Sequence, residues 1–385
     1  MGSWVTGRWS PNTTVRERSQ RIAPISYQAY VPDHIRELNL MFPASLVQEM
    51  SRAEGALSEL EHTVASTGFP TLRQTAMLEA LGSGRLSGLV TFPRRLAEVL
   101  TGHNQRDLIA QRVASIVTAT ESSLASAQAS RISSESLERM SALVLGSETA
   151  RVSVRSRQIW AGTSRTPRAA EFVPPPPSRL DDLMDDLCAF LARDDVPPLV
   201  QAAIAHAQYE TICPFPDANG RAGRCLVQTV LRRHGLTADA VPPISAVLAI
   251  NRQTYFERVA AYREGQVIEF CAAFTSAMHK ATSQAIGLAT QCESLLSKWR
   301  KEIGRVRSGS AAMRLLAILF DQPVLDAKQV ERALHVSDEA ARLGLITLEK
   351  AGGLRRIGAS SRGRLWVAED ALDLLDRWEY ELETA

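Results

Sequence analysis

Residues 206–224 read HAQYETICPFPDANGRAGR, and the order of residue types within them decides the fold. Helical patterning leads in from Pro198 to Thr211, and Arg224-Cys225-Leu226-Val227-Gln228-Thr229-Val230-Leu231 continues with apolar residues at helical spacing. Between them, Asn219-Gly220 is expected to turn the chain sharply, so that successive backbone N–H groups face one concavity. The turn sits on a helix N-terminus, whose unpaired N–H groups and dipole favour an anion. Arg221 and Arg224 lie three apart on one face and are expected to fork onto phosphate oxygens. Asp217 offers a hard oxygen to a phosphate-bound Mg²⁺. Cys213 stands where such a site needs a base.

The stretch resembles the signature loop of Fic-family proteins, HxFx(D/E)GNGRxxR. Phe215, Asp217, Asn219, Gly220, Arg221 and Arg224 match it; Cys213 replaces the His and Ala218 the first Gly. The resemblance implies a mainly α protein, a Fic-fold helical core with a small β-hairpin flap. It also implies ATP and Mg²⁺ as cofactors and transfer of AMP to a protein hydroxyl. Cys213 then occupies the catalytic position, Asp217 the metal position, and Ala218, Asn219, Gly220, Arg221 and Arg224 surround the nucleotide phosphates. Residues 157–177, RQIWAGTSRTPRAAEFVPPPP, resemble the family's flap. Ile159, Trp160 and Thr163 there would align an extended segment of a protein target by strand addition. Residues 251–274 resemble the closing helices, so the likeness runs from about Val152 to Ile286.

Many Fic proteins also carry an inhibitory helix, (S/T)xxxE(G/N), whose glutamate binds the second signature arginine. Here Ser83-Gly84-Arg85-Leu86-Ser87-Gly88 is similar to it, with Ser87 at the glutamate position. A neutral serine leaves Arg224 without that counter-charge, so the brake is expected to be missing.

An imidazole titrates near neutrality and returns its proton; a free thiol has a pKa of about 8.5. The helix N-terminus with Arg221 and Arg224 would lower it, and a nucleotide's charge would raise it. Loss of a general base costs roughly 10²–10⁴-fold. Three readings of Cys213 stay open: a small packed thiol, a site of slow residual transfer, or a nucleophile or redox-sensitive group. The resulting expectation is a nucleotide-binding Fic pseudoenzyme with weak or absent AMPylation. The alternatives are a non-catalytic or DNA-binding regulator and a transferase repurposed around Cys213. Ala218 is expected to cost little if its φ is negative; alanine recurs there in the related Doc toxins, which phosphorylate their targets.

The chain has 385 residues, 45% apolar and 22% charged, with a net charge of +2. That length allows two or three domains, and the charge by itself points to no nucleic-acid or membrane partner. Five cysteines without CxxC spacing argue against structural zinc or a disulfide framework. With no apolar leader at the N-terminus, a cytoplasmic location is expected. The expected organisation is an irregular lead-in over 1–35, an N-terminal helical segment over 36–150 and the Fic core over 151–286. A linker helix over 287–308 and a C-terminal winged helix over 309–385 follow. Within the helical segment, Gly82-Ser83-Gly84 is expected to end or interrupt a helix from Thr71, and Ser122–Ser136 to form a loose helix or loop. Val152–Val154 and Gln158–Trp160 resemble short strands.

In the tail, Arg342, Arg355, Arg356, Arg362 and Arg364 are the candidate DNA contacts, offset by Asp338, Glu339 and Glu349. A docking or dimerising role is the competing reading, with a homodimer among the expected partners. His206 is expected to face the core or brace the loop rather than to act as a substitute base. Trp160 and Tyr255 are expected in the core.

Overall fold

A computed structural model describes residues 2–10, 24–67, 72–127, 131–147, 152–357 and 364–384. Its axis is helix α7 (Pro198–Ile212) in chain order, buried on almost every side. A helix apolar all round belongs inside a bundle rather than on its surface. Its polar side chains are satisfied internally: Gln201 donates to the carbonyls of Phe190 and Arg193, at 3.0 and 2.8 Å.

Around this axis stand α1 (Ala44–Thr67), α2 (Leu72–Leu86), α3 (Pro93–Leu100), α4 (Leu108–Ala127), α5 (Ser134–Val144) and α6 (Leu180–Leu191). Helices α8 (Asn219–Arg233), α9 (Ile244–Ile250), α10 (Arg252–Arg263) and α11 (Val267–Ile303) complete the bundle. The fold is mainly α, as expected. Helix α8 lies along α7, where a Cβ on Gly223 would sit 3.2 Å from both His206 Nδ1 and Tyr209 Cδ1. The missing side chain lets the two backbones approach.

Several local expectations give way to tertiary packing. Helix α2 runs straight through Gly82-Ser83-Gly84. A Cβ on Gly82 would meet the Ala246 backbone nitrogen at 2.2 Å, so this glycine seats α9 instead of breaking α2. In the Ser-rich run the described residues close α4 and open α5. Ser123 and Leu124 are buried in α4, while Ser133 and Ser136 form a reciprocal capping box on α5.

The described parts of the lead-in, 2–10 and 24–35, are not irregular throughout. Strands β1 (Gly2–Trp9) and β2 (Ile25–Pro32) pair antiparallel, with Gly2 opposite Pro32 and Trp9 opposite Ile25. The expected flap strands, in contrast, are reduced to one bridge between Ala161 and Phe172. Residues 152–154 form no strand. The amide of Arg155 is engaged by the Pro214 carbonyl at 2.9 Å, and Pro174–Pro177 have no amide to give.

Helix α11 is continuous through residue 286 and carries Trp299 into the tail, where it stacks on Phe320 at 5.3 Å. The tail comprises α12 (Ala311–Leu316), β3 (Val324–Leu325), α13 (Ala327–Leu334), α14 (Asp338–Lys350), β4 (Arg355–Ile357), β5 (Leu365–Val367) and α15 (Glu369–Thr384). Its strands order as β3-β5-β4. One apolar core runs from Val31 to Leu382 without a break at residue 308. Helix α15 returns to the bundle, where Glu379 pairs with Arg85 of α2 at 2.7 Å. Among the described residues, no helix is long and apolar enough to cross a membrane.

Glu79 ties α2 to the start of α9, accepting from the Ser245 amide at 2.7 Å and from its hydroxyl. Burial pushes this carboxyl up to about 7, against the Ser245 hydrogen bonds and the Arg224 charge. Between about pH 4.5 and 7 the folded state keeps a proton that the unfolded chain releases. Stability therefore falls as pH rises through that window, by up to about 3 kcal/mol from this group. Asp321 and Glu379, raised to about 6 and about 7, add slopes of the same sign. Glu79→Gln should flatten the fall in urea midpoint from acid to neutral pH. An unchanged slope would show that Glu79 does not titrate there.

Candidate active site

Two residues in left-handed conformation shape the signature loop. Cys213 caps α7 at φ 45°, ψ 62°, and Ala218 precedes α8 at φ 64°, ψ 16°. Asn219 and Gly220 are already helical, so the sharp turn falls on Ala218 instead. Its φ is positive, and alanine there costs about 1 kcal/mol relative to glycine. Asn219 closes the loop by a two-way clasp on Phe215: its Oδ1 accepts from the amide at 2.9 Å and its Nδ2 donates to the carbonyl at 2.8 Å. The Asn219 side chain is thus committed to the loop itself.

The loop floors a cavity of about 380 Å³, within the usual range of small-molecule sites. Cys213, Asp217, Ala218, Asn219, Gly220 and Arg221 line one side, and Ile159, Trp160, Ala161 and Phe172 of the flap another. Ser87 and Arg112 also reach it. A larger groove of about 940 Å³ between α11 and α15 is lined by Asp370, Asp373, Asp376 and Glu381 against Lys298 and Arg377. Its excess of carboxylates disfavours phosphate.

The two signature arginines part company. Arg221 stays at the cavity, 3.6 Å from the exposed Asp217 carboxylate. Burial lowers its pKa, and the neighbouring charges of Arg224 and Arg112 add to the effect. Arg224 is withdrawn behind the wall at 2% exposure. Its Nε donates to Ser83 Oγ at 2.8 Å and its Nη2 to the Ser83 carbonyl and Ser87 Oγ at 3.0 and 2.9 Å. Its Nη1 lies 3.4 Å from Glu210 Oε1.

Ser87 therefore touches the arginine that the resemblance assigns to it, yet Arg224 is not left without counter-charge. Glu210 of α7 supplies it. Gly220 makes room for the pair, since a Cβ there would lie 2.7 Å from Glu210 Oε1. Tyr255 donates to the same carboxylate oxygen at 3.1 Å and is joined to His206 Nε2 at 2.8 Å. His206 is fully buried, and burial lowers its pKa to about 4. It braces this cluster.

Cys213 departs furthest from the expectation. The charges beside it are Arg155 and Arg263, not Arg221 and Arg224. They do not prevail: burial, aided by Glu210, pushes the thiol up to about 12. Its Sγ donates to the Glu210 carbonyl at 3.1 Å. Arg155, 3% exposed, holds the loop from below through the carbonyls of Cys213, Arg157, Pro175 and Ile212, at 2.8, 3.1, 2.6 and 3.4 Å. Burial lowers this guanidinium to about 10.

The flap is braced by the N-terminal hairpin. Val173 accepts from the Tyr30 amide at 2.9 Å, while the adjacent Phe172 carbonyl faces Ala161 at 2.8 Å. Carbonyls alternate in this way along an extended chain, so β2 holds one edge of the flap and 159–161 keeps the other. Trp9 meets Trp160 edge-on at 5.6 Å, and the Arg263 guanidinium lies 3.5 Å over Phe172. Trp160 thus lines the cavity as well as packing, and Thr163 is exposed at the flap tip.

Comparison with known proteins adds the family to this geometry. Residues 131–231 match the family model described as Fic/DOC family. This part of the chain is a Fic domain. The match begins ahead of α5, earlier than the resemblance read from sequence, and ends within α8. A probable protein adenylyltransferase of Aquifex aeolicus (strain VF5) is 32% identical over 100 residues, 26% of this chain and 29% of that protein. The protein adenylyltransferase Fic of Aedes aegypti is 33% identical over 101 residues, covering 26% and 19%. The chain thus spans less than a third of the length of these curated relatives. A crystal structure of a Fic family protein from Desulfovibrio desulfuricans G20 superposes with a TM-score of 0.56 over 86% of this chain and 97% of that one. At 19% identity this shows a shared fold. Outside the matched segment, Ser87 just after α2 and Arg112 of α4 line the same cavity, and Tyr255 of α10 bonds Glu210 behind it.

Proposed function

We propose that this Fic domain binds a nucleotide by its phosphates and, with cysteine at the base position, transfers AMP at a trace rate or not at all. The observation carrying this reading is the Cys213 thiol, pushed up to about 12 and bonded to the Glu210 carbonyl. At neutral pH such a thiol stays protonated, which makes it a poor acceptor of a hydroxyl proton. The same protonated thiol would be a weak nucleophile, and this supports the packed-thiol reading of Cys213.

What remains suits phosphate. The first N–H groups of α8 and the Arg221 guanidinium face one cavity, and ATP phosphates fit this donor set. Mg²⁺ fits beside them through Asp217, whose side chain is 72% exposed at the rim. One carboxylate suffices for an ion held largely by phosphates and water. Among the described residues no cluster of three His, Cys, Asp or Glu would hold a metal alone. When bound, the ion would neutralise phosphate charge. At the flap, Ala161 is paired with Phe172 and Glu171 and the Ile159 carbonyl with Gln158, so the Trp160 backbone is where a protein target would add as a strand.

The tail we read as a brace built like a winged helix. Of its described candidate arginines, Arg342, Arg355 and Arg356 make surface pairs with Asp338, Glu369 and Glu349, and Arg364 makes none among the described residues. Arg362 lies outside the described residues. A cytoplasmic location belongs to the same reading. Calorimetry with Mg-ATP tests the binding half. Saturable heat is expected from the wild type and a loss of at least tenfold in affinity from Arg221→Ala. No heat at millimolar ATP would overturn the reading.

A further inference from the structure

We propose that Arg112 of α4 is the second cationic contact of the phosphate site, the role the motif assigns to Arg224, and that it selects ligands bearing two or more phosphate groups. The inference rests on the phosphate-binding reading above.

Three observations carry it. Arg224 does not line the cavity; it is buried with Ser83, Ser87 and Glu210 on its donors, and a phosphate would have to displace them. Arg112 does line the cavity, together with Arg221, Asp217 and Gly220. Among the described residues Arg112 has no hydrogen bond or ion pair, although it stands close enough to Arg221 to depress that group's pKa.

The charge balance is uneven as a result. Two guanidiniums and the α8 N-terminus face one space, and the carboxylate nearest Arg221 is the exposed Asp217. Gathering like charges around one cavity is unfavourable until a polyanion enters. Arg112 projects from α4, a helix of five turns packed on α8, so its backbone is already placed and only the exposed side chain is ordered when a ligand arrives. A lone phosphate is served by the helix N-terminus and Arg221. A diphosphate or triphosphate has further oxygens to offer Arg112.

The test compares Mg-ATP, Mg-ADP and AMP on the full chain by calorimetry, for wild type, Arg112→Gln and Arg112→Lys. Arg112→Gln should weaken ATP and ADP by tenfold or more and AMP by less than twofold. Arg112→Lys should recover part of the loss as a point charge without the fork. Because the residue is exposed, the unliganded melting temperature of both variants should stay at the wild-type value. Equal weakening of all three nucleotides, or none, in a chain whose wild type binds ATP would overturn the assignment and leave the phosphate site standing. A wild type that binds neither ATP nor AMP would overturn both.

Discussion

Cys213→His should raise AMP transfer from Mg-ATP by roughly 10²–10⁴-fold over the wild type, the range of a restored general base. The backbone admits the change, because histidine is among the residues that tolerate the left-handed region Cys213 occupies. Burial also acts in the required sense. The desolvation that suppresses the thiolate favours an uncharged imidazole, which is the form that accepts a proton. The loop clasp from Asn219 and the clamp from Arg155 leave the new side chain at the same cavity. Transfer of labelled AMP to the protein itself or to an added acceptor measures the gain. A variant that binds ATP yet stays at the wild-type rate would show that the base is not the missing part.

The second large effect concerns Arg155. Arg155→Ala removes a buried cation from four carbonyls and should lower unfolding stability by about 3 kcal/mol or more. Arg155→Lys should recover little, since one ammonium does not span that set of acceptors. With the clamp gone, Cys213 should also react faster with iodoacetamide under native conditions. Urea midpoints and alkylation rates check the two halves. A loss under 1 kcal/mol with unchanged alkylation would mean that the loop keeps its shape without Arg155.

What could be read in advance follows from how local each cause is. Loop and helix were legible because Phe215, Asp217, Asn219, Gly220, Arg221 and Arg224 sit within ten residues and each type has a stated job. Cys213 was legible as a departure, though its chemistry was not. The thiol's pKa is governed by burial and by Glu210, Arg155 and Arg263, which the fold brings together. Arg112 offered no signal at all, being one polar position on an ordinary amphipathic helix.

Long-range pairing explains the remaining misses. Strands β1 and β2 carry no clean alternation, and their meaning depends on Val173 and Trp160, far along the chain. Gly82-Ser83-Gly84 carries the signal of a helix break, which contact with Ala246 overrides. The inhibitory-helix likeness led correctly to a Ser87–Arg224 contact and missed the carboxylate that takes over the charge, because Glu210 comes from a different helix.

The central claim is a phosphate site kept without its base, and the wild type's own transfer rate tests it most directly. Labelled Mg-ATP incubated with wild type and with Cys213→Ala should give equal incorporation near the protein-free background. Robust modification by the wild type that disappears in Cys213→Ala would contradict the account.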